Sequence, residues 1–71
     1  MDNKQIYINA NIVLQLMNNI PGLTYNELKE KCLLSDKELG MAIGWLACEN
    51  KIVYLSDSNS DKLYLNIYFY F

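Results

Sequence analysis

The sequence predicts an α+β fold in which three helices are followed by a two-stranded β-hairpin. Three observations point to it. Apolar residues recur at steps of three and four from Asn3 to about Asn19, and again from Leu39 to Leu46. Two capping signatures, Thr24–Glu27 and Ser35–Glu38, lie one short helix apart. From Lys51 onward the chain turns rich in β-branched and aromatic residues, broken once by the polar run Ser56–Asp61.

In the first helix, Ile6, Ala10, Val13, Leu14 and Met17 form one apolar face. A second stripe, Ile8, Ile12 and Leu16, runs beside it. The combined sector is wider than a surface helix needs, so another element of the chain or another subunit is expected to cover it. Pro21-Gly22 stops the helix and turns the chain, leaving room at Leu23 for a very short strand.

The Thr24 hydroxyl is placed to accept from the Glu27 backbone N–H while the Glu27 carboxylate reaches back to Thr24. This opens a second helix over Tyr25–Cys32, with Leu28 and Cys32 inward and Lys29, Glu30 and Lys31 outward. After the tight apolar turn Leu33-Leu34, Ser35 and Glu38 repeat the pattern and open the third helix. Its core face is Leu39, Ala42, Ile43 and Leu46, and Trp45 beside that face anchors it on the first helix or the hairpin. Asn50 ends it, because asparagine tolerates the left-handed conformation at a helix C-terminus. Lys51–Leu55 reads as a strand, Ser56–Asp61 as an exposed loop and Lys62–Phe71 as the return strand. Leu63, Leu65, Ile67, Phe69 and Phe71 alternate with Tyr64, Asn66, Tyr68 and Tyr70 on its two faces.

Two capped helices joined by about three residues are a helix-turn-helix signature, and the hairpin makes it a winged one. The run Ala42-Ile-Gly-Trp-Leu-Ala47, followed by Glu49-Asn-Lys-Ile52, resembles the signature of a family of small stand-alone bacterial winged helix-turn-helix proteins, most of uncharacterised function. The capped helix Thr24–Cys32 and the turn Leu33–Ser35 fit it as well. With no linker, residues 1–71 read as one such domain. The resemblance covers nearly the whole chain, with Phe69–Phe71 extending beyond the usual end of the wing, and implies a winged helix of DNA-binding type. It also implies a weaker DNA contact here, since the family position held by Cys48 is often basic.

Composition bounds the function. Seventy-one residues allow one domain with a limited core, so a partner surface fits the size, as does the 52% hydrophobic content. The first twenty residues lack the continuous apolar centre of a signal peptide, and no run is long enough to span a membrane; a cytoplasmic protein is expected. Cys32 and Cys48 each sit in an apolar helical context, which predicts small buried hydrophobes, and cytosolic thiols usually stay reduced. With no histidine and no third cysteine, a zinc site is not expected. No activated nucleophile and no glycine-rich phosphate loop is present, so neither an enzyme nor a cofactor or small-molecule site is expected.

The net charge is −2 and every basic residue is a lysine: Lys4, Lys29, Lys31, Lys37, Lys51 and Lys62. The absence of arginine removes the preferred reader of bases and phosphates. As a recognition helix, the third helix would bring Ser35, Lys37 and Met41 to the major groove, with Lys62 flanking the wing. Asp36 and Glu38 beside Lys37, and Asp57 and Asp61 in the wing, carry the wrong sign for phosphate. The rival reading uses the same helix: Gly40, Met41, Gly44, Ala47 and Cys48 form an uncharged face of small or adaptable residues suited to protein contact, most simply in a homodimer. The other candidate interface residues are Ile8, Ile12 and Leu16 on the first helix and Tyr68, Phe69, Tyr70 and Phe71, where the return strand outruns its partner. Two functions follow as expectations. One is a small transcription-associated DNA-binding-type regulator acting as a homodimer; the alternative is a protein-interaction module of the same fold that does not bind DNA.

Overall fold

The computed structural model describes residues 2–18, 20, 22–56 and 61–66. Its elements follow in the order α1 (Asn3–Met17), α2 (Tyr25–Lys31), α3 (Asp36–Cys48), β1 (Ile52–Ser56) and β2 (Asp61–Leu65). This is a winged helix: three helices, then an antiparallel hairpin.

Each helix begins where a side chain can meet its unpaired N–H groups. Asp2 accepts from the Gln5 backbone N–H at 2.8 Å at the start of α1. At α2 the Thr24 hydroxyl accepts from Glu27 N–H at 3.1 Å and Glu27 Oε1 accepts from Thr24 N–H at 2.9 Å. Ser35 and Glu38 repeat that reciprocal pair at α3, at 3.2 and 2.9 Å. Both predicted capping boxes are therefore formed. At the far end of α3, Asn50 takes φ 58°. The Lys51 N–H donates back to the Leu46 carbonyl at 2.9 Å and the Asn50 N–H to the Ala47 carbonyl at 3.1 Å. These two bonds and the left-handed residue are the Schellman ending, which satisfies the last carbonyls and turns the chain into β1 at once.

The hairpin pairs Ile52 with Leu65, Val53 with Tyr64, Tyr54 with Leu63, Leu55 with Lys62 and Ser56 with Asp61. Leu23 adds the expected short strand. Its N–H donates to the Leu63 carbonyl at 3.0 Å and its carbonyl accepts from Leu63 N–H at 2.8 Å. Gly22, just before it, has φ 96°, and a Cβ there would lie 2.8 Å from the Tyr64 ring. Glycine therefore answers both a backbone and a packing demand at this turn.

The core sits between the helices and the inner face of the hairpin. It holds Ala10, Val13 and Met17 from α1, Leu23, Leu28 and Cys32, Leu39, Ala42 and Leu46 from α3, and Ile52, Leu63 and Leu65 from the hairpin. The largest helix contact is between α1 and α3. Tyr7 and Trp45 reinforce it with an edge-to-face ring pair, centroids 5.7 Å apart, so Trp45 anchors α3 on α1 as the sequence suggested. Each fully buried leucine contributes roughly 1.5–3 kcal/mol through removal of its side chain from water.

Several expectations are corrected. Cys32 is buried, but Cys48 is exposed, because it falls on the side of α3 away from the core. Of the second stripe, which another element or another subunit was expected to cover, Leu16 is half-buried and packs against the core, while Ile8 and Ile12 are exposed and no described element covers them. The polar Asn9 is buried in their place. Ile6, Leu14 and Ile43 are half-buried at the edge of the core rather than inside it. The α1 helix closes at Met17 and α2 at Lys31, each short of the expected end, and β1 begins at Ile52. Pro21 and the overhanging aromatic segment Ile67–Phe71, including Tyr68, Phe69, Tyr70 and Phe71, lie outside the described residues.

Candidate interaction surface

The site is built on α3, which the two caps and the Schellman ending hold in place. Leu39, Ala42 and Leu46 face the core, so the helical period turns Lys37, Gly40, Met41, Gly44, Ala47 and Cys48 outward. All six are exposed, with Met41 at 39%. No described element covers this face, so the reading in which the hairpin or α1 buries it within one chain does not hold. Apart from Lys37 at its first turn, the surface is uncharged.

The glycines on it lack an internal reason. A Cβ built on Gly40 or Gly44 meets nothing within 4 Å. Both lie inside a helix, where glycine costs about 1 kcal/mol relative to alanine. No contact within the chain requires either of them, and what their bareness provides is close access to α3 from outside.

The electrostatics of the N-terminal end oppose phosphate. A helix N-terminus attracts anions through its bare N–H groups, but here the chain's own acids occupy that place. Glu38 is held below the ordinary glutamate range, chiefly by hydrogen bonds from the Ser35 backbone and side chain and also by the charge of Lys29. Asp36 stands in the same first turn and accepts a hydrogen bond from the Tyr25 hydroxyl at 2.9 Å. That bond is the main reason the Tyr25 phenol holds its proton to higher pH than usual. The Tyr25–Asp36 bond ties the first turn of α2 to the first turn of α3.

The sequence-predicted nucleic-acid residues are spread unevenly over this surface. Ser35 is exposed, but its hydroxyl is engaged in the cap. Lys37 and Met41 lie outward on one face, one turn apart. Lys62 is half-buried on β2, and its charge helps hold Glu27 below the ordinary range, after the larger effect of the Thr24 hydrogen bonds. The Lys29 ammonium donates to the Leu34 carbonyl at 3.0 Å and so braces the turn between the helices. Of the predicted interface residues, Gly40, Met41, Gly44 and Cys48 share the α3 face, whereas Ile8 and Ile12 are exposed on α1. Sequence reasoning missed Leu33, which stands fully exposed in the turn between α2 and α3. Its signal was only that it is one of two adjacent leucines in a turn with room for one inside.

Residues 1–65 match the model of the family described as winged helix-turn-helix domain (DUF2582). The chain belongs to that family. It is also similar to protein BT2368 from Bacteroides thetaiotaomicron, whose solution NMR structure superposes with a TM-score of 0.87 at 35% identity, over 100% of this chain and 87% of that one. No curated protein matches the chain. Winged helix-turn-helix families are generally non-enzymatic and DNA-binding-like in build. No described helix of this member is long and apolar enough to cross a membrane.

Proposed function

We propose that this family member is a cytoplasmic, transcription-associated winged helix that works by protein contact rather than by tight DNA binding. The observation that carries the reading is the outer face of α3. It stands where a winged helix presents its recognition helix, yet beyond Lys37 it offers only Gly40, Met41, Gly44, Ala47 and Cys48. Salt-sensitive DNA affinity comes from neutralised phosphates, on the order of six to ten of them in a firm complex. Lys37 and Lys62 are far short of that. Small residues let a partner backbone come close, and Met41 adapts to its shape. The proposed partner surface is therefore an apolar helix of another protein laid along Gly40, Met41, Gly44 and Cys48, with Ile8, Ile12 and Leu16 as a second contact on α1.

A second reading is supported by the fold and by the exposure of Lys37 at the first turn of α3. In it Ser35, Lys37, Met41 and Lys62 make a weak DNA contact. Titration of a labelled random duplex at low salt separates the two. No complex is expected at tens of micromolar, where even non-specific binders with dissociation constants of about 1–100 μM engage. A complex there would reject the leading reading. Placing lysine at Gly44 and Cys48 extends the charge of Lys37 along the same face, and that variant is expected to gain duplex binding. The gain would show that side-chain charge, not architecture, separates this chain from a DNA binder.

A further inference from the structure

We propose that β1 is a docking edge for the β1 strand of a second copy, paired antiparallel about a two-fold axis at Tyr54. The homodimer expected from the uncharged α3 face and the aromatic C-terminal segment is thereby assigned a different surface. The backbone phase of the hairpin identifies the edge. The Leu63 N–H and carbonyl both bond Leu23, so they point away from β1. Tyr54 is the residue opposite Leu63. In an antiparallel pair, the groups of two opposed residues point either toward each other or both outward. The Tyr54 N–H and carbonyl therefore point out of the sheet edge, and by alternation so do those of Ile52 and Ser56. The bond from Asn66 N–H to the Lys51 carbonyl, 2.9 Å, fixes the same phase from the other end of the ladder.

Among the described residues nothing pairs with this edge. It also lacks the usual guards against strand addition: Ile52–Ser56 contains no charge, proline or glycine. Tyr54 is 56% and Leu55 41% exposed, one on each face of the strand. An array of alternating outward donors and acceptors is a template for an added strand.

The strand that fits is the chain's own. With Tyr54 opposite Tyr54 of the second copy, those two residues exchange both N–H···O bonds; Ile52 falls opposite Ser56 but is buried, so the exposed ladder is centred on Tyr54. Val53 then faces Leu55 of the second copy in the closer, non-hydrogen-bonded pairing, and the two Tyr54 rings meet on the opposite face. No like charges are opposed, and the contact is isologous, so it closes at two copies. The contact is short. It falls below the roughly 1,200 Å² of a standard interface, which makes the dimer a concentration-dependent one.

The test is sedimentation velocity on the full chain from about 10 μM to about 1 mM, combined with amide hydrogen exchange at both ends of that range. The expected mass rises from the 8.3 kDa of one chain toward twice that value. The Tyr54 amide slows its exchange at high concentration, while Val53 and Leu55, bonded within the hairpin, stay protected throughout. Tyr54→Lys opposes two ammonium groups across the axis and abolishes the dimer. Tyr54→Pro does so by deleting the outward N–H while leaving the hairpin ladder intact. Tyr54→Phe, which loses only the hydroxyl bond to Asp61, remains dimeric. A single 8.3 kDa species with concentration-independent exchange at Tyr54 overturns the proposal. So does a dimer that survives Tyr54→Lys. Should the lysine and proline variants fail to fold, exchange in the wild-type chain decides alone. A missing dimer leaves the α3 reading untouched, because that reading is tested by duplex titration.

Discussion

Substitution of Gly22 by alanine perturbs this fold at one atom in two ways. The backbone has φ 96°, and an added Cβ would stand 2.8 Å from Tyr64 Cε1, 2.9 Å from Cζ and 3.0 Å from the hydroxyl. Holding an L-residue at positive φ costs roughly 1–2 kcal/mol. Displacing a packed ring adds about 1–3 kcal/mol. The turn cannot escape by moving, since Leu23 is bonded in both directions to Leu63. The expected loss is therefore about 2–5 kcal/mol, against a total stability of roughly 4–10 kcal/mol for a chain of this length. Urea unfolding followed by far-ultraviolet circular dichroism measures it, and the melting temperature should fall by about 8–40 °C. The ring's share is isolated by repeating the substitution in a Tyr64→Ala background, where the cost should shrink by about 1 kcal/mol or more. A loss below about 0.5 kcal/mol, or the same loss with and without the ring, would refute the reasoning.

Three further outcomes are expected. Glu27 and Glu38 have folded-state values depressed below 4.5 by their caps, so the unfolded chain binds more protons below that pH. Their stabilisation is present above 4.5 and is lost as pH falls through the folded values; replacing both with glutamine, which keeps the cap bonds, should flatten the fall in melting temperature between pH 5 and pH 3, roughly. Asn9 is buried, with Oδ1 accepting from Gln5 at 3.0 Å but no partner for Nδ2. Asn9→Leu should leave stability unchanged or raise it by up to about 1 kcal/mol in urea unfolding, and a larger loss would mean that the amide is satisfied. Native chain should react rapidly with a thiol reagent at exposed Cys48 alone, and at buried Cys32 only after denaturation, as counted by absorbance of the released thiolate.

The parts of the fold legible in the sequence were those fixed by local rules. A capping box involves four consecutive residues, and both formed as read. Asn50 announced its left-handed conformation by residue type, and Leu23 its bridge by position after a turn. What pattern could not decide was which of two adjacent apolar stripes faces inward. Ile8 and Ile12 repeat at the same helical period as Ala10 and Val13, and only the placement of α3 on one side of α1 distinguishes them. Burial of Asn9 was hidden for the same reason. Cys48 misled because its neighbours are apolar, although the helical period had already put it with Gly44 rather than with Leu46. For the candidate surface, the composition of the α3 face was readable and its exposure was not. A two-residue slip of the core face would have buried it, and no sequence signal sets that phase as firmly as the packing of Leu39, Ala42 and Leu46 does.

The junction Glu49–Lys51 joins a helix to a strand with no slack. Its carbonyls and amides are tied to Leu46 and Ala47 on one side and, through Asn66, to the hairpin on the other, where the Asn66 side-chain amide reaches the Asn50 carbonyl at 2.6 Å. The helix and the hairpin therefore turn as one stiff lever, and a load on either is felt by the other. Length variation over evolutionary time should fall in the hairpin tip between Ser56 and Asp61 and spare this corner. One residue added there would break the bonds from Lys51 to Leu46 and from Asn50 to Ala47 and detach the hairpin from its setting on α3.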